Sequence, residues 1–365
     1  HMHDLTLTEL RMVHFKNHTS IDFTFSPKLN AIVGINGAGK TTILDAIHVL
    51  CMTKSYFHNS DFHNIQFNAP FFVLEGKMQA NQIVTPIYCG LKKAEKKVFK
   101  TDDAEYTKLS DHLGRFPVVM ISPYDRNLIT DGSEARRKFM NSVIAQSDKK
   151  YLEALLSYNR ALSQRNALLK YFAANRTFDE SMLGLYNDQL VMNSKIIYSA
   201  RQTFVEYFEP VLKKYYGWMA GDKEIVAIEY KSSLHEKDLD VLLNENLDKD
   251  RVLQYTSKGI HREDLLFKLH GEQLNRVGSQ GQQKSFVVAL KLAVFDSLKN
   301  ALGVKPILLL DDIFDKLDAL RVEGLIRLVN EHHFGQIFIT DTHTERTEFM
   351  IKSVNEEAKV IDLSS

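Results

Sequence analysis

Apolar positions recur along the chain with two spacings, which divide it into strand-like and helix-like segments. Apolar and polar residues alternate over residues 4–25 and 71–91, and this alternation predicts antiparallel strands joined by polar turns. We predict one such turn at residues 11–18. Other short runs are almost entirely apolar, as expected for strands buried on both faces; they are Leu29–Val33, Val118–Ile121, 307–310 and 337–339.

Residues 133 to about 216 follow a helical spacing, which predicts two or three long helices with one turn at 175–177. Ser133 is the predicted N-cap of this segment. We expect the first long helix to bury a stripe made of Leu152, Leu155, Leu156, Leu162, Leu168 and Leu169. The fold prediction is therefore an α/β domain, here called the head, with a mixed, mostly parallel sheet, plus an α-helical insertion. The predicted division is 2–132 and 251–365 for the head and 133–250 for the insertion.

Length and composition fit a protein with more than one core. The chain has 365 residues, of which 44% are hydrophobic and 25% charged. Its formal net charge is zero, so any contact with nucleic acid must come from local basic patches. Two cysteines, Cys51 and Cys89, argue against a disulfide framework and favour a reducing cytoplasm. No run of 18 apolar residues occurs, so we expect no membrane partner.

One glycine-rich segment carries the clearest chemical signal. It fits the pattern G-x-x-x-x-G-K-[ST] and lies between a predicted strand and a predicted helix. Glycines let the backbone curl so that N–H groups and the helix start point at phosphates. We expect Lys40 to reach the phosphate oxygens of ATP and the Thr41 hydroxyl to bind Mg²⁺. The predicted nucleotide-binding residues here are Gly34, Ile35, Asn36, Gly37, Ala38, Gly39, Lys40, Thr41 and Thr42.

Two adjacent carboxylates follow the buried strand at residues 307–310. Such a strand carries an acid to the carboxyl edge of a sheet, where the glycine-rich loop also lies. We assign Asp311 to the Mg²⁺ shell. Because side chains alternate along a strand, Asp312 is expected to have a separate role, which is to orient or deprotonate the attacking water.

A second phosphate-binding pattern opens the apolar helix that ends near Leu298. Ser279, Gly281 and Gln282 stand at its N-terminus, where a hydroxyl and backbone N–H groups favour an anion. A single nucleotide cannot easily use two such helix starts of one subunit. We therefore expect these residues to serve the nucleotide of a second copy. On its own the pattern favours an ordinary capped helix, but its place just upstream of the acidic strand reverses that preference.

These motifs resemble the ATPase heads of the ABC superfamily, in the SMC-like branch and within it the RecF family. Residues 278–284, 259–265 and 132–139 carry the resemblance, as does the pair Asp311-Asp312. Ser279, Gly281 and Gln282 match the ABC signature, and residues 315–318 match the D-loop. The resemblance also makes His343 the switch histidine, and places Lys16 and Asn17 of the N-terminal turn at the nucleotide.

What the resemblance implies is a weak, DNA-stimulated ATPase that dimerises around ATP. Members bind duplex DNA, act at gaps and single-strand junctions, and help RecO- and RecR-like partners load RecA during repair and the SOS response. The resemblance assigns catalytic roles to Lys40, Ser279, Asp311, Asp312 and His343. It also implies a cytoplasmic protein that joins the nucleoid when it is on DNA.

The chain departs from the superfamily pattern at two positions. No glutamine follows the strand at Val118–Ile121, where residues 122–125 read Ser-Pro-Tyr-Asp. Asp312 is one methylene shorter than the usual Glu, which predicts slow hydrolysis.

Other function classes fit less well. An SMC-type structural clamp needs a far longer coiled arm, and a transporter ATPase subunit normally keeps the glutamine. An ATPase-coupled nuclease needs a further acidic metal domain.

Two basic segments are candidates for contacts with DNA phosphates. The first comprises Lys92, Lys93, Lys96, Lys97 and Lys100, and the second comprises Arg136, Arg137 and Lys138. Each is equally consistent with ordinary solvated surface. No base-reading motif is visible, so we expect contacts that do not depend on DNA sequence.

Overall fold

The computed structural model describes residues 4–35, 39–58, 60–331, 334–353 and 358–363. Its strands are, in chain order, β1 (Leu5–Phe15), β2 (His18–Thr24), β3 (Leu29–Val33), β4 (Phe71–Ala80), β5 (Ile83–Lys92), β6 (Val98–Thr101), β7 (Ala104–Glu105), β8 (Val118–Ile121), β9 (Val226–Lys231), β10 (Asp264–Leu269), β11 (Glu272–Gln273), β12 (Ile307–Asp311), β13 (Ile337–Asp341) and β14 (Ala358–Asp362).

The helices include the long helical segment that the spacing predicts after residue 132. They are α1 (Lys40–Met52), α2 (Asn127–Thr130), α3 (Ser133–Ser147), α4 (Lys149–Asn175), α5 (Glu180–Ala220), α6 (Leu239–Glu245), α7 (Leu247–Leu253), α8 (Leu274–Val277), α9 (Gln280–Leu302), α10 (Ala319–Glu331) and α11 (Thr344–Ser353). Across the described ranges, none of them is both long and apolar enough to cross a membrane.

The chain divides into two compact units. The first takes in 1–126, 214–224 and 279–365, and the second takes in 127–213 and 225–278. Helix α5 contributes to both, since its last turns belong to the first unit. The sequence-based division at 132/133 and 250/251 stays a prediction.

The first unit contains a parallel sheet and an antiparallel sheet. The parallel sheet has the order β14-β3-β13-β12-β8, and the antiparallel sheet has the order β2-β1-β4-β5-β6-β7. Helix α1 is buried on nearly all sides, and its Leu44, Ile47 and Leu50 share one apolar cluster with residues of both sheets. Because its apolar side chains pack against both sheets, α1 is held inside the core of the first unit. The predicted α/β head is confirmed, with its parallel and antiparallel strands in two sheets instead of one mixed sheet.

Two local predictions in the chain were wrong. The turn predicted at residues 11–18 is much shorter, because β1 continues to Phe15 and pairs with β2 as far as Phe15 and with β4 as far as Val13. Ser133 is the first helical residue of α3 and not its cap, since Gly132 takes the N-cap position without a side-chain bond.

The second unit packs α2–α8 with the small antiparallel sheet β11-β10-β9. The predicted leucine stripe of α4 is wrong in detail. Leu169 alone of those six leucines is buried, and Leu156 is 40% exposed. The buried face instead consists of Tyr151, Ala154, Tyr158, Ala161, Arg165, Leu169 and Phe172. These residues keep the helical spacing but include an arginine, which pairs with Asp250 at 2.9 Å.

Candidate functional site

A cavity of about 340 Å³ opens where the parallel strands end and α1 begins. Strands β3, β12 and β13 run parallel, so their carboxyl ends meet at one edge of the sheet. The glycine-rich loop follows β3 and therefore reaches this edge. The described residues that line the cavity are Asn17, Gly39, Lys40, Thr41, Thr42, Pro123, Asp311, Asp312, Thr340, Asp341 and Thr342.

Lys40, the first residue of α1, is held against the loop that precedes it. Its ammonium donates hydrogen bonds to the carbonyl oxygens of Gly34 at 2.6 Å and Ile35 at 2.9 Å. Because carbonyl oxygens are weaker partners for a cation than phosphate oxygens, an arriving phosphate offers this ammonium a better partner. Asn36, Gly37 and Ala38, which the sequence predicts as phosphate-binding residues, lie outside the described residues.

Gly39 is a position where only glycine fits. Its φ of 88° lies in the left-handed region, and a Cβ there would come within 2.3 Å of His18 Nε2 and 2.8 Å of Asn17 Nδ2. The turn between β1 and β2 therefore packs directly on the loop. Asn17 accepts a hydrogen bond from the Thr42 hydroxyl at 2.8 Å, and the His18 ring lies 3.3 Å from the Gly39 carbonyl oxygen.

Thr41 and Asp311 face each other across the cavity although 270 residues separate them in sequence. The Thr41 hydroxyl lies 3.1 Å and 3.2 Å from the two carboxylate oxygens of Asp311. The Thr340 hydroxyl also donates to Asp311, at 2.7 Å. Burial raises the pKa of Asp311, against the effect of these two hydroxyl donors. Hydroxyl and carboxylate oxygens are the donors that Mg²⁺ prefers, so this pair fits the predicted metal.

Asp312 stands directly after the end of β12. Its φ of 46° turns the chain out of the strand, and its backbone N–H donates to the Thr340 hydroxyl at 2.9 Å. Partial burial raises the pKa of its carboxyl group, and the nearby carboxylate of Asp315 adds to this. Lys284 of α9 donates to the Asp312 carbonyl oxygen at 3.0 Å. Asp312 thus borders the same cavity as Asp311 but is held by different contacts.

Lys16 is next in sequence to Asn17 but is not among the described residues that line the cavity. Its ammonium forms an ion pair with Asp45 of α1, which is fully buried. Asp45 also accepts from the Ser55 hydroxyl at 2.6 Å and from the Tyr56 backbone N–H at 2.8 Å. Lys16 therefore fixes the β1–β2 turn to α1, and Asn17 is the residue of this turn that lines the cavity.

The segment after β8, which lacks the usual glutamine, leads into a buried charge pair. Pro123 lines the cavity, and Asp125 behind it is 3% exposed. Asp125 accepts from the Ser122 N–H at 2.8 Å and from the Tyr56 hydroxyl. Lys291, from the middle of α9, lies 3.6 Å from the Asp125 carboxylate and donates to the Tyr56 hydroxyl at 2.9 Å. The α9 helix is thereby anchored to the wall of the cavity.

At the end of β13, the cavity is lined by residues that the sequence analysis did not select. They are Thr340, Asp341 and Thr342, whereas His343 is exposed and is not among the described residues that line the cavity. Asp341 is buried and accepts from the His343 N–H and from Arg346. The signal that could have found them is their position at the carboxyl end of an apolar strand. The role of His343 stays a prediction.

Ser279, Gly281 and Gln282 form the N-terminus of α9. Ser279 and Gln282 make a reciprocal capping box: the Ser279 N–H donates to Gln282 Oε1 at 2.9 Å, and the Gln282 N–H donates to the Ser279 hydroxyl at 3.1 Å. Within the part of the chain that the structure describes, these residues do not line the cavity at Lys40. Ser279 is exposed, and its role toward a nucleotide stays a prediction.

Several basic residues considered for DNA contacts are already occupied. Lys97 pairs with Asp61 at 2.8 Å, and only 6% of its side chain is exposed. Arg136 binds both carboxylate oxygens of Asp264, at 2.8 Å and 3.3 Å, and also donates to two backbone carbonyls. Arg137 donates to the Ser133 hydroxyl and to the Glu263 carbonyl oxygen. These three residues stabilise the fold, while Lys92, Lys93 and Lys96 are exposed.

Comparison with known proteins identifies the family. The family model of the RecF/RecN/SMC N-terminal domain matches residues 6–361. A DNA replication and repair protein RecF from Flavobacterium johnsoniae is 49% identical over 357 residues, which cover 98% of this chain and 99% of the relative. The chain belongs to the RecF family. The prediction made from its motifs is confirmed.

Solved structures agree with this assignment. A structure of the recombination mediator protein RecF with ATP in the RecFOR pathway superposes with a TM-score of 0.86 at 29% identity, covering 94% of this chain and 93% of that one. A more distant similarity, to the Smc head domain of Pyrococcus furiosus, has a TM-score of 0.56 at 15% identity and covers 98% of this chain and 93% of that one. At that identity the similarity shows the fold alone.

Proposed function

We propose that this chain is an ATP-dependent, DNA-binding recombination mediator that acts at gaps and single-strand junctions during DNA repair and replication. The observation that carries the proposal is the approach of the Thr41 hydroxyl to the Asp311 carboxylate in a cavity that Lys40 also lines. The RecF structure that is 29% identical to this chain is that of RecF with ATP. Together these findings support ATP as the ligand of the cavity.

Each residue of the cavity has a different role toward ATP. Lys40 moves from its carbonyl partners to phosphate oxygens, and Thr41 with Asp311 would hold Mg²⁺. When bound, the metal supplies positive charge that stabilises the transferring phosphoryl group. Asp312 orients the attacking water, and its short side chain supports slow hydrolysis, which suits a switch better than a motor.

The signature turn, residues 279–282, has its Ser279 exposed, which supports a dimer in which ATP lies between two copies. In this arrangement Ser279, Gly281 and Gln282 of one copy bind the nucleotide held by Lys40 of the other. DNA is clamped by the two heads and stimulates hydrolysis. RecO- and RecR-like partners then use this complex to help load RecA. The similarity to a recombination mediator of the RecFOR pathway supports this last step.

The test is the oligomeric state, measured by light scattering with ATP·Mg²⁺, with ADP, and for Lys40→Ala with ATP·Mg²⁺. We expect a dimer with ATP·Mg²⁺ and a monomer in the other two samples, because the proposed dimer needs the γ-phosphate bound between the two copies. If the chain stays monomeric, the measurement is repeated with gapped duplex DNA. A monomer in both experiments, or a dimer that Lys40→Ala leaves intact, would overturn the proposal.

A further inference from the structure

Glu224 collects hydrogen bonds from three separate elements of the first unit. The Tyr216 hydroxyl donates from the last turns of α5, and the Gln282 side-chain amide donates from α9 at 3.2 Å. Arg321 of α10 donates to both carboxylate oxygens, at 2.8 Å and 3.1 Å. Although partial burial acts in the opposite direction, these donors lower the pKa of Glu224. The side chain is therefore an ionised acceptor at the meeting point of three helices.

Arg321 extends these contacts to the D-loop and to the first turns of α9. Its guanidinium donates to the Asp318 carboxylate at 2.9 Å and to the Ser285 hydroxyl at 3.0 Å. Ser285 in turn donates to the Gly281 carbonyl oxygen at 2.8 Å. The signature turn and the D-loop are thus joined through one guanidinium whose second carboxylate partner is Glu224.

The side chain of Gln282 is held at both ends. Its Oε1 accepts from the Ser279 N–H in the capping box, while its Nε2 donates to Glu224. A capping box alone fixes the amide oxygen and leaves the amide nitrogen free to point to solvent. Glu224 adds a charge-assisted hydrogen bond, which is the stronger kind and is directional.

We infer that Glu224 is a positioning residue that holds the signature turn and the D-loop in one arrangement, ready to receive the nucleotide of a second copy. The consequence for the second copy rests on the proposed function. The positioning itself does not, because all the contacts lie within one copy. Among the described residues, those that line the cavity at Lys40 do not include Glu224, Gln282 or Arg321. ATP binding by the monomer is therefore expected to be independent of Glu224.

The first measurement is hydrogen exchange in the nucleotide-free protein, comparing Glu224→Gln with Glu229→Gln. Glu229 of β9 is a matched control, since it is also a glutamate in an ion pair but lies in the second unit, paired with Lys268. In Glu224→Gln we expect amides of residues 282–285 and 318–321 to exchange about tenfold faster, as the loss of charge-assisted hydrogen bonds allows. The control variant should match the wild type in both segments.

The second measurement separates positioning from binding. With ATP·Mg²⁺, the protein concentration at half-dimerisation should rise about tenfold in Glu224→Gln, while the Kd for a fluorescent ATP analogue in the monomer stays within about twofold. The double variant Glu224→Gln with Arg321→Met should dimerise at the same protein concentration as Arg321→Met alone, since both substitutions act through one network. A variant that only weakened the fold would lower ATP affinity and dimerisation together.

The outcomes distinguish the two proposals. Unchanged hydrogen exchange at 282–285 and 318–321 in Glu224→Gln would overturn the positioning role, whether or not the protein dimerises with ATP. Faster exchange in the variant, combined with a wild type that never dimerises with ATP, would support the positioning role and count against the proposed function. Faster exchange together with unchanged dimerisation of the variant would overturn the link between Glu224 and the second copy.

Discussion

Asp311 in the nucleotide cavity and Glu263 in the second unit are both buried carboxylates, but their partners differ. Glu263 pairs with the buried Arg201 at 2.7 Å and accepts from the Tyr230 hydroxyl at 2.6 Å. The described hydrogen bonds to Asp311 come from the neutral hydroxyls of Thr41 and Thr340. Burial without a directly paired cation raises the pKa of Asp311, so its charge is held at a cost.

This difference separates a structural carboxylate from a functional one. A buried acid paired with an arginine is already neutralised and has no use for a further cation. A buried acid that is bound only by hydroxyls lowers its free energy when a cation arrives. The Arg201–Glu263 and Arg165–Asp250 pairs therefore have a structural role in the helical unit, whereas the proposed function assigns Asp311 to a metal that comes with the nucleotide.

The largest effect on stability is expected for Arg201→Met. The variant leaves Glu263 buried without its cation, which costs about 3–5 kcal/mol of the free energy of unfolding. Urea denaturation of the nucleotide-free protein measures the loss. The double variant Arg201→Met with Glu263→Leu should recover a large part of it, since no charge is then left unpaired. Equal stability of the single and double variants would contradict the pairing argument.

Unlike Arg201→Met, Asp311→Asn should leave the fold stable and weaken ATP binding in the presence of Mg²⁺. Asparagine still accepts from the Thr41 and Thr340 hydroxyls, and it removes a charge that burial disfavours. We expect a free energy of unfolding that is unchanged or about 1 kcal/mol higher without nucleotide. The increase in ATP affinity that Mg²⁺ provides should fall about 100-fold, because the metal loses its protein carboxylate.

Calorimetric titration with ATP, with and without Mg²⁺, measures this difference. Asp318→Asn is a suitable control, because Asp318 is exposed in the D-loop and does not line the cavity among the described residues. If Asp311→Asn destabilises the fold as strongly as Arg201→Met, then Asp311 is a structural carboxylate and the comparison fails.

The sequence indicated the neighbours of Asp311 better than those of Glu263. The loop at Lys40 fits a pattern whose spacing phosphate binding requires, and an acid at the end of a buried parallel strand is expected beside that loop, where Asp311 contacts Thr41. The acidic partners of Arg136, Arg165 and Arg201 lie far away in sequence, and periodicity does not encode such pairs. The buried face of α4 was mispredicted for this reason, since a leucine pattern cannot show that an arginine will be neutralised inside the core.

The same limit explains the residues that were missed inside the site. Asp341 and Pro123 line the cavity because β13 and β8 end beside β12, and strand order is a tertiary property. His343 was selected through the resemblance to the ABC heads, yet it stands two residues past the end of the strand that reaches the cavity.

A smaller effect on the stability of the second unit is expected when the pH is lowered. Burial lowers the pKa of His261 in the second unit to about 4, although its hydrogen bond to the Thr256 carbonyl oxygen acts in the opposite direction. Between about pH 6.5 and pH 4 the unfolded chain binds a proton that the native state does not, so stability is present above this window and lost as the pH falls through it. From pH 7 to pH 5 this loss is about 2 kcal/mol.

In the first unit the effects of acid oppose one another, so we expect a smaller net loss of stability there. Burial lowers the pKa of His48 and lowers that of His112 to about 4, and hydrogen-bond donors lower that of Glu224. The raised pKa values of Asp125, Asp311 and Asp312 act in the opposite direction, because their protonation favours the native state. Hydrogen exchange of α4 and of α1, corrected for intrinsic rates, should show a larger loss of protection at pH 5 in α4. His261→Gln should remove most of this difference; a difference that persists would assign it to other groups.

The smallest effects are expected in the lysine-rich hairpin between β5 and β6, where two nearby lysines allow the same comparison on the surface. Lys97 is buried against Asp61, whereas Lys93 is exposed. Lys93→Ala should change the free energy of unfolding by less than about 0.5 kcal/mol and, if this lysine holds a DNA phosphate, lower the salt slope of DNA binding by about one. Lys97→Ala should reduce stability and leave the slope unchanged, because a lysine already neutralised by Asp61 releases no counterion from DNA. A Lys93→Ala variant with an unchanged slope would remove Lys93 from the candidate DNA contacts.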